Sequence, residues 1–150
     1  LTCALTIPDV CSKIEEPAER NTGARYSRWF DRYVADKYKS QLPRIGLHVF
    51  LNGKDCYALR CAYLHQGDFD IRGQGVRDAL DHFQFAPPRR GVIVHCNQAD
   101  KALQLQVDIF CSDIIAGARV WRDVALRDAA MAQQIAELDA RLAPLSVPQV

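Results

Sequence analysis

Asn52-Gly-Lys-Asp-Cys-Tyr-Ala-Leu-Arg-Cys-Ala-Tyr-Leu-His-Gln-Gly67 is the stretch that decides the fold of this chain. Its ends are typical of a helix, because Asn52 is a good N-cap, Asp55 can return a capping bond and Gly67 can adopt the left-handed conformation that stops a helix. Apolar residues lie on nearly every side between these ends, which predicts a helix in the middle of a bundle. Arg60 and His65 interrupt the pattern, and each is costly to bury without a partner.

A polar pair on an otherwise apolar helix indicates a functional site. The segment Arg60-Cys-Ala-Tyr-Leu-His65 resembles the Arg-x-x-x-x-His motif of the HEPN superfamily, helical domains that include many metal-independent ribonucleases. The resemblance implies a bundle of helices and a homodimer, in which two copies of this helix meet at a two-fold axis and share one cleft. The family often has a polar residue directly after the arginine, where this chain has Cys61.

These residue types suit RNA cleavage without a metal ion or cofactor. The reaction needs a base for the ribose 2′-OH, a cation on the phosphate and an acid for the leaving 5′-oxygen. Histidine serves as base or acid, and arginine offers a planar fork to phosphate oxygens. We therefore expect Arg60 and His65 to be catalytic. Three neighbours are expected to line the cleft or orient the histidine: Tyr63, Gln66 and Asp68.

The geometry of a helix separates the two catalytic candidates. Arg60 and His65 are five residues apart, which corresponds to roughly 140° around the axis. Either the long arginine swings across that gap, or two subunits share the site. The alternative without function is a structural network, in which Arg60 pairs with a carboxylate and His65 bonds a backbone carbonyl.

The composition describes an ordinary globular domain, which we expect to span residues 1–150. The chain is 49% hydrophobic and 25% charged, and its net charge of +1 argues against broad electrostatic binding to duplex nucleic acid. No run approaches the roughly 20 apolar residues of a membrane span, and the N-terminus lacks the pattern of a signal peptide. Six cysteines show no Cys-x-x-Cys pair or zinc spacing, which predicts reduced thiols in a cytoplasmic protein.

Helices are also predicted on both sides of the central one. Thr6–Asp9 is expected to begin the first, with Pro8 in its first turn. Apolar residues at three- and four-residue steps predict helices over Tyr26–Tyr38, Leu103–Asp123 and Leu126–Leu142. The last of these carries a heptad-like seam: Met131, Ile135, Leu138, Leu142 and Leu145.

Short β-prone runs predict a small sheet. Leu80–Phe85 and Val92–Cys96 are interpreted as one β-hairpin, and Leu47–Phe50 as a short strand within a connector. The expected fold is therefore mainly α: a HEPN-like up-down bundle of four to five helices with a small β-hairpin insertion. The central helix is expected between the Tyr26–Tyr38 and Leu103–Trp121 helices.

Two classes of function follow from these expectations. The first is a metal-independent endoribonuclease of toxin or defence type, which works as a homodimer and is inhibited by a neutralising protein partner. The second is a non-catalytic HEPN-like module that binds nucleotide, RNA or protein through the same cleft, which Cys61 favours. A purely structural dimer is the third alternative. None of the three involves a membrane.

Overall fold

Helices and short strands make up the computed structural model of this protein, which describes residues 1–142. The helices are α1 (Thr2–Glu15), α2 (Thr22–Tyr33), α3 (Gly53–Gln66), α4 (Val107–Ala125) and α5 (Ala129–Leu142). The strands are β1 (Lys39–Leu42), β2 (Gly46–Val49), β3 (His82–Ala86), β4 (Asn97–Ala99) and β5 (Ala102–Gln106). A 3-10 turn over Ala35–Tyr38 joins α2 to β1.

Two small sheets make the fold mixed α/β, so the expected mainly α bundle with a single hairpin is wrong. β1 and β2 form an antiparallel hairpin. In the second sheet, β5 lies between β3, which is parallel to it, and β4, which is antiparallel. Val92–Cys96 forms no strand and does not pair with Leu80–Phe85.

The second sheet was not predicted because its strand β5 lies in the segment that was predicted to begin a helix at Leu103. Leu103 and Leu105 are buried at a spacing of two and belong to β5, and α4 begins only at Val107. A two-residue alternation over five positions is too short to distinguish from the start of a helix that follows at once. The parallel partner of β5 is β3, and its register pairs Phe83 with Leu103.

The prediction for the ends of α3 is confirmed. The Asn52 side chain accepts from the N–H of Asp55 at 2.9 Å, and Gly67 ends the helix at φ 70°. The expected capping bond from Asp55 is wrong. Its buried carboxylate instead accepts three backbone N–H groups of the loop before β3, so it anchors that loop to the start of α3.

α3 is not the helix at the centre of the molecule, because α1 and α2 each pack against more helices than α3 does. α2 packs against α1, α3 and α4, whereas α3 packs mainly against α2 and α4 mainly against α1 and α2. The expected position of α3 between α2 and α4 is therefore wrong, although Leu59 and Ala62 are fully buried. The cause is that α3 has polar, exposed residues at both ends, such as Lys54 and His65, and so buries one side only.

Glycines allow α2 and α3 to cross at close range. A Cβ on Gly53 would lie 2.2 Å from the carbonyl oxygen of Ser27, and a Cβ on Gly23 would lie 2.7 Å from the ring of Tyr57. Both distances are below any normal contact. The N–H of Gly53 also donates to Asp31 at 2.7 Å, so the start of α3 is fixed to α2 by packing and by a hydrogen bond.

Other helix boundaries differ from the predicted ones. α1 begins at Thr2, four residues before the expected start, so Pro8 lies inside the helix. Burial of Ala4 and Leu5 favours this upstream extension. The aromatic helix stops at Tyr33 and continues as the 3-10 turn. Of the predicted seam on α5, the first three residues pack partly against the core, and the Leu142 side chain and Leu145 lie outside the described residues.

All six cysteines are free thiols in this structure, and Cys11 and Cys56 are buried in the core. Burial raises the pKa of both thiols to about 12, which keeps them protonated and unreactive. Within residues 1–142, no helix is both long and apolar enough to cross a membrane.

Candidate functional site

Arg60 and His65 lie on the C-terminal half of α3, where this helix reaches the surface. Arg60 is half-buried, and His65 is exposed in the last turn. The N–H of Gly67 donates to the carbonyls of Ala62 and Tyr63, and its left-handed φ of 70° ends the helix. Glycine takes this conformation without a Cβ penalty, so Gly67 determines where the last turn, and with it His65, is held.

The side chains of Arg60 and His65 meet within one chain. Nη1 of Arg60 lies 3.2 Å from Nε2 of His65. The length of the arginine side chain closes the gap of roughly 140° that the helix geometry imposes. A second subunit is therefore not required to bring this arginine and this histidine together.

Asp9 is the third member of the site, and the sequence did not single it out. Nε of Arg60 donates to Oδ2 of Asp9 at 2.8 Å, and the two side chains are 20% and 17% exposed. Asp9 was interpreted as a residue at a helix start, but it lies in the middle of α1. The sequence does contain a signal for this role of Asp9, because Asp9 lies on the same face of the helix as the buried residues Leu5 and Ser12. A carboxylate on a buried face needs a positive partner.

Asp9 uses one carboxylate oxygen for Arg60 and keeps the other without a partner. Oδ1 is buried and accepts no hydrogen bond from any residue in the range 1–142. A buried acceptor without a donor costs about 1–3 kcal/mol, and such atoms are rare in folded proteins. This oxygen distinguishes Asp9 from the exposed ion pairs on the surface of α2.

The electrostatics of the site fix the roles of its hydrogen-bonding atoms. Burial alone would lower the pKa of the Arg60 guanidinium, but Asp9 and Cys61 outweigh burial, and the pKa lies above its ordinary value. Arg60 is thus permanently charged. A guanidinium only donates, so a hydrogen bond between these two groups requires Nε2 of His65 to be the acceptor. An unprotonated ring nitrogen is what a histidine needs in order to act as a base.

Tyr63 and Gln66 flank the two central residues on α3. The half-buried ring of Tyr63 stacks on Phe69, with centroids 5.2 Å apart and planes 12° apart. Gln66 is the exposed last residue of the helix. Both lie within three residues of His65 along the chain, and Gln66 offers a free amide at the surface.

Asp68 does not orient His65. Its Oδ1 accepts from the backbone N–H of Asp70 at 3.0 Å, and no contact with His65 is made. A short polar side chain that accepts a hydrogen bond from the backbone two residues ahead is typical of a turn. The carboxylate that organises this site is Asp9 instead, acting through Arg60.

The remaining histidines are dispersed over three other segments: His48 on β2, His82 on β3 and His95 before β4. In the part of the chain that the structure describes, no three His, Cys, Asp or Glu side chains are grouped so that they could hold a metal ion.

A second polar cluster surrounds Asp113 on α4. Its carboxylate accepts from Lys37 at 2.7 Å and from the hydroxyl of Tyr38 at 3.2 Å, and Nε2 of His95 lies 3.8 Å away. Burial lowers the pKa of His95, while Asp113 and Asp108 act in the opposite direction. The cluster joins α4 to the 3-10 turn and to the segment before β4, which is a structural role.

No family model, curated protein or solved structure matches this chain. Three features of the molecule itself therefore point to a functional site. They are the Asp9–Arg60 ion pair, the Arg60–His65 contact and the exposure of His65.

Proposed function

We propose that this protein is a metal-independent endoribonuclease of toxin or defence type, with Arg60 and His65 as its catalytic residues. One observation carries the proposal: Nη1 of Arg60 lies 3.2 Å from Nε2 of His65. A permanent cation and an exposed base are thus side by side, as cleavage of a phosphodiester by a neighbouring hydroxyl requires. The resemblance of the Arg-x-x-x-x-His motif to that of HEPN ribonucleases supports the same assignment.

In the proposed reaction, each residue has one task. A phosphate oxygen of the RNA takes the place of His65 at the Arg60 guanidinium, and Nε2 of His65 becomes free to accept the proton of the 2′-OH. The 2′-oxygen attacks the adjacent phosphorus, and the bond to the 5′-oxygen breaks. The products are a 2′,3′-cyclic phosphate and a 5′-OH end. Asp9 holds Arg60 in position and does not contact the substrate.

The proton for the leaving 5′-oxygen comes from a second acid, and we propose that a homodimer supplies it. Two sites that meet at a two-fold axis would place one histidine as base and the other as acid. Sedimentation at micromolar concentration tests this step. A dimer is expected, whereas a monomer with full activity would assign the acid to water.

A neutralising protein partner belongs to the same proposal, because an active cytoplasmic ribonuclease harms its own cell. Expression of the chain alone is expected to slow growth, and His65→Ala is expected to relieve the effect. Equal toxicity of both forms would contradict a toxin that acts through this site.

The second candidate is a non-catalytic module that binds RNA, nucleotide or protein through the same residues. The observation that favours it is that Nε2 of His65 is already engaged by Arg60 and that Cys61 stands where HEPN proteins often have a polar residue. A polar network satisfied in this way also occurs in structural roles. Binding of RNA without cleavage would select this candidate.

The deciding experiment is incubation of the purified protein with single-stranded RNA and with DNA of the same sequence, with and without EDTA. We expect cleavage of RNA alone, at equal rates in both buffers, with 2′,3′-cyclic phosphate ends. DNA should survive because it lacks the attacking hydroxyl. His82→Ala on β3 serves as a matched control for His65→Ala. Cleavage that disappears with EDTA, or that persists in His65→Ala, would contradict the mechanism.

A further inference from the structure

A cavity of about 430 Å³ lies between α1, α2 and α5, beside the candidate site. It has the size of the pockets that hold small molecules in proteins, which range over roughly 300–1,000 Å³. Asp9 is part of its wall. Because Asp9 also binds Arg60, this side chain links the cavity to the Arg60–His65 pair.

One wall of this cavity is basic, and its cations Lys13 and Arg25 have no carboxylate partner among residues 1–142. Nζ of Lys13 donates to the carbonyl of Pro17 at 2.9 Å, and Nη1 of Arg25 donates to the carbonyl of Glu19 at 3.3 Å. Nε of Arg25 is buried and has no partner among residues 1–142. Other arginines of α2, such as Arg28 and Arg32, are instead paired with glutamates. This wall therefore offers positive charge to an anion.

The floor of the cavity is apolar and its far edge is polar. Val10 and Ile14 of α1 face Leu138 of α5 across it, and Val10 remains 47% exposed although it is a large aliphatic residue. Gln134, Glu137 and Arg141 of α5 complete the wall. An amide and a carboxylate can accept hydrogen bonds from N–H groups, and an amide can also donate. The cavity thus combines an anion site, an apolar surface and hydrogen-bonding groups for a polar edge.

We infer that this cavity binds the nucleotide next to the scissile phosphate of the RNA substrate. Lys13 and Arg25 hold the phosphate of that nucleotide, its base lies on Val10, Ile14 and Leu138, and Gln134 contacts the base edge. A fatty acid would leave the polar edge unpaired, and inorganic phosphate would leave the apolar floor empty. The inference rests on the proposed ribonuclease function and adds a substrate subsite to it.

Titration calorimetry with the four nucleoside 5′-monophosphates tests the subsite without any cleavage step. We expect at least one of them to bind with a one-to-one ratio and more tightly than inorganic phosphate or its own nucleoside. Arg25→Gln should weaken binding by about tenfold or more, because it removes a charge-assisted hydrogen bond. Arg20→Gln is the matched control, since Arg20 is exposed on the loop just before α2 and lies outside the cavity. The affinity of the Arg20→Gln variant for the nucleotide should equal that of the wild type.

Circular dichroism establishes that each variant is folded, and Lys13→Gln replaces Arg25→Gln if the latter is not. No binding of any nucleotide at millimolar concentration, or equal loss in Arg20→Gln and in the cavity variant, would overturn the inference. Phosphate binding as tight as nucleotide binding would also overturn it. The ribonuclease assay is an independent test. Nucleotide binding without RNA cleavage would contradict the proposed ribonuclease function but would still establish a nucleotide-binding site.

Discussion

Nε of Arg60 donates a hydrogen bond to Oδ2 of Asp9 at 2.8 Å, across 51 residues of sequence, and joins the middle of α1 to the C-terminal half of α3. Because both side chains are largely shielded from water, their attraction is stronger than that of a surface pair. The bond also limits the directions that the guanidinium can take. Nη1 is thereby held against His65.

Asp9→Asn tests both consequences of this ion pair. The amide keeps the shape of the side chain but leaves Arg60 without a countercharge, so the free energy of unfolding should fall by about 1–3 kcal/mol. The rate of RNA cleavage should fall as well, at temperatures where the variant is folded. Urea denaturation and the cleavage assay give the two readouts. Asp36→Asn is the control: its carboxylate is 88% exposed, and a loss of no more than about 0.5 kcal/mol is expected.

Gly53→Ala tests the close crossing of α2 and α3. The added Cβ would lie 2.2 Å from the carbonyl oxygen of Ser27, and backbone must move to make room. We expect a loss of about 1–3 kcal/mol or more in the free energy of unfolding. A Cβ at Gly73 meets no atom within 4 Å, so Gly73→Ala is the matched control and should cost little. Equal stability of the two variants would contradict the crossing.

Local signals in the sequence were sufficient for the ends of α3 and for the buried face of α2. Asn52 and Gly67 act within one turn of the residues they cap, so a short stretch contains all the information for the ends of α3. The aromatic face of α2 is equally local, and Tyr26, Trp29 and Phe30 are buried as that pattern predicts.

Pairings between distant segments could not be predicted from the sequence in this way. β5 is five residues long and pairs in parallel with β3, from which it is separated by residues 87–101, which include β4. Nothing in either segment alone specifies the partner. The same reason applies to the site. Arg60 and His65 lie on one helix and could be selected together from the sequence, whereas Asp9 belongs to another helix and could not.

His95 makes the stability of the fold depend on pH. Burial holds the pKa of His95 below its ordinary value, against the opposing effect of Asp113 and Asp108. The unfolded chain therefore binds a proton near pH 6.5 that the folded protein does not yet bind, and stability should fall as the pH falls below about 6.5. Melting temperatures at pH 7.5 and pH 5.5 measure this effect. His95→Gln should show a smaller difference between the two pH values than the wild type, and an equal difference would contradict the assignment.

Substitutions of Arg60 separate its charge from its shape in the proposed cleavage. Arg60→Ala should lower the rate by roughly a hundredfold or more, because no cation remains to stabilise the phosphate in the transition state. Arg60→Lys should recover only part of that loss, since a single ammonium does not replace a planar fork that contacts Asp9 and His65 together. Arg32→Ala is the matched control, because Arg32 is 57% exposed and pairs with Glu15 away from the site. Melting curves confirm that each variant is folded. Full activity in Arg60→Ala would exclude Arg60 from catalysis, and full activity in Arg60→Lys would show that charge alone is sufficient.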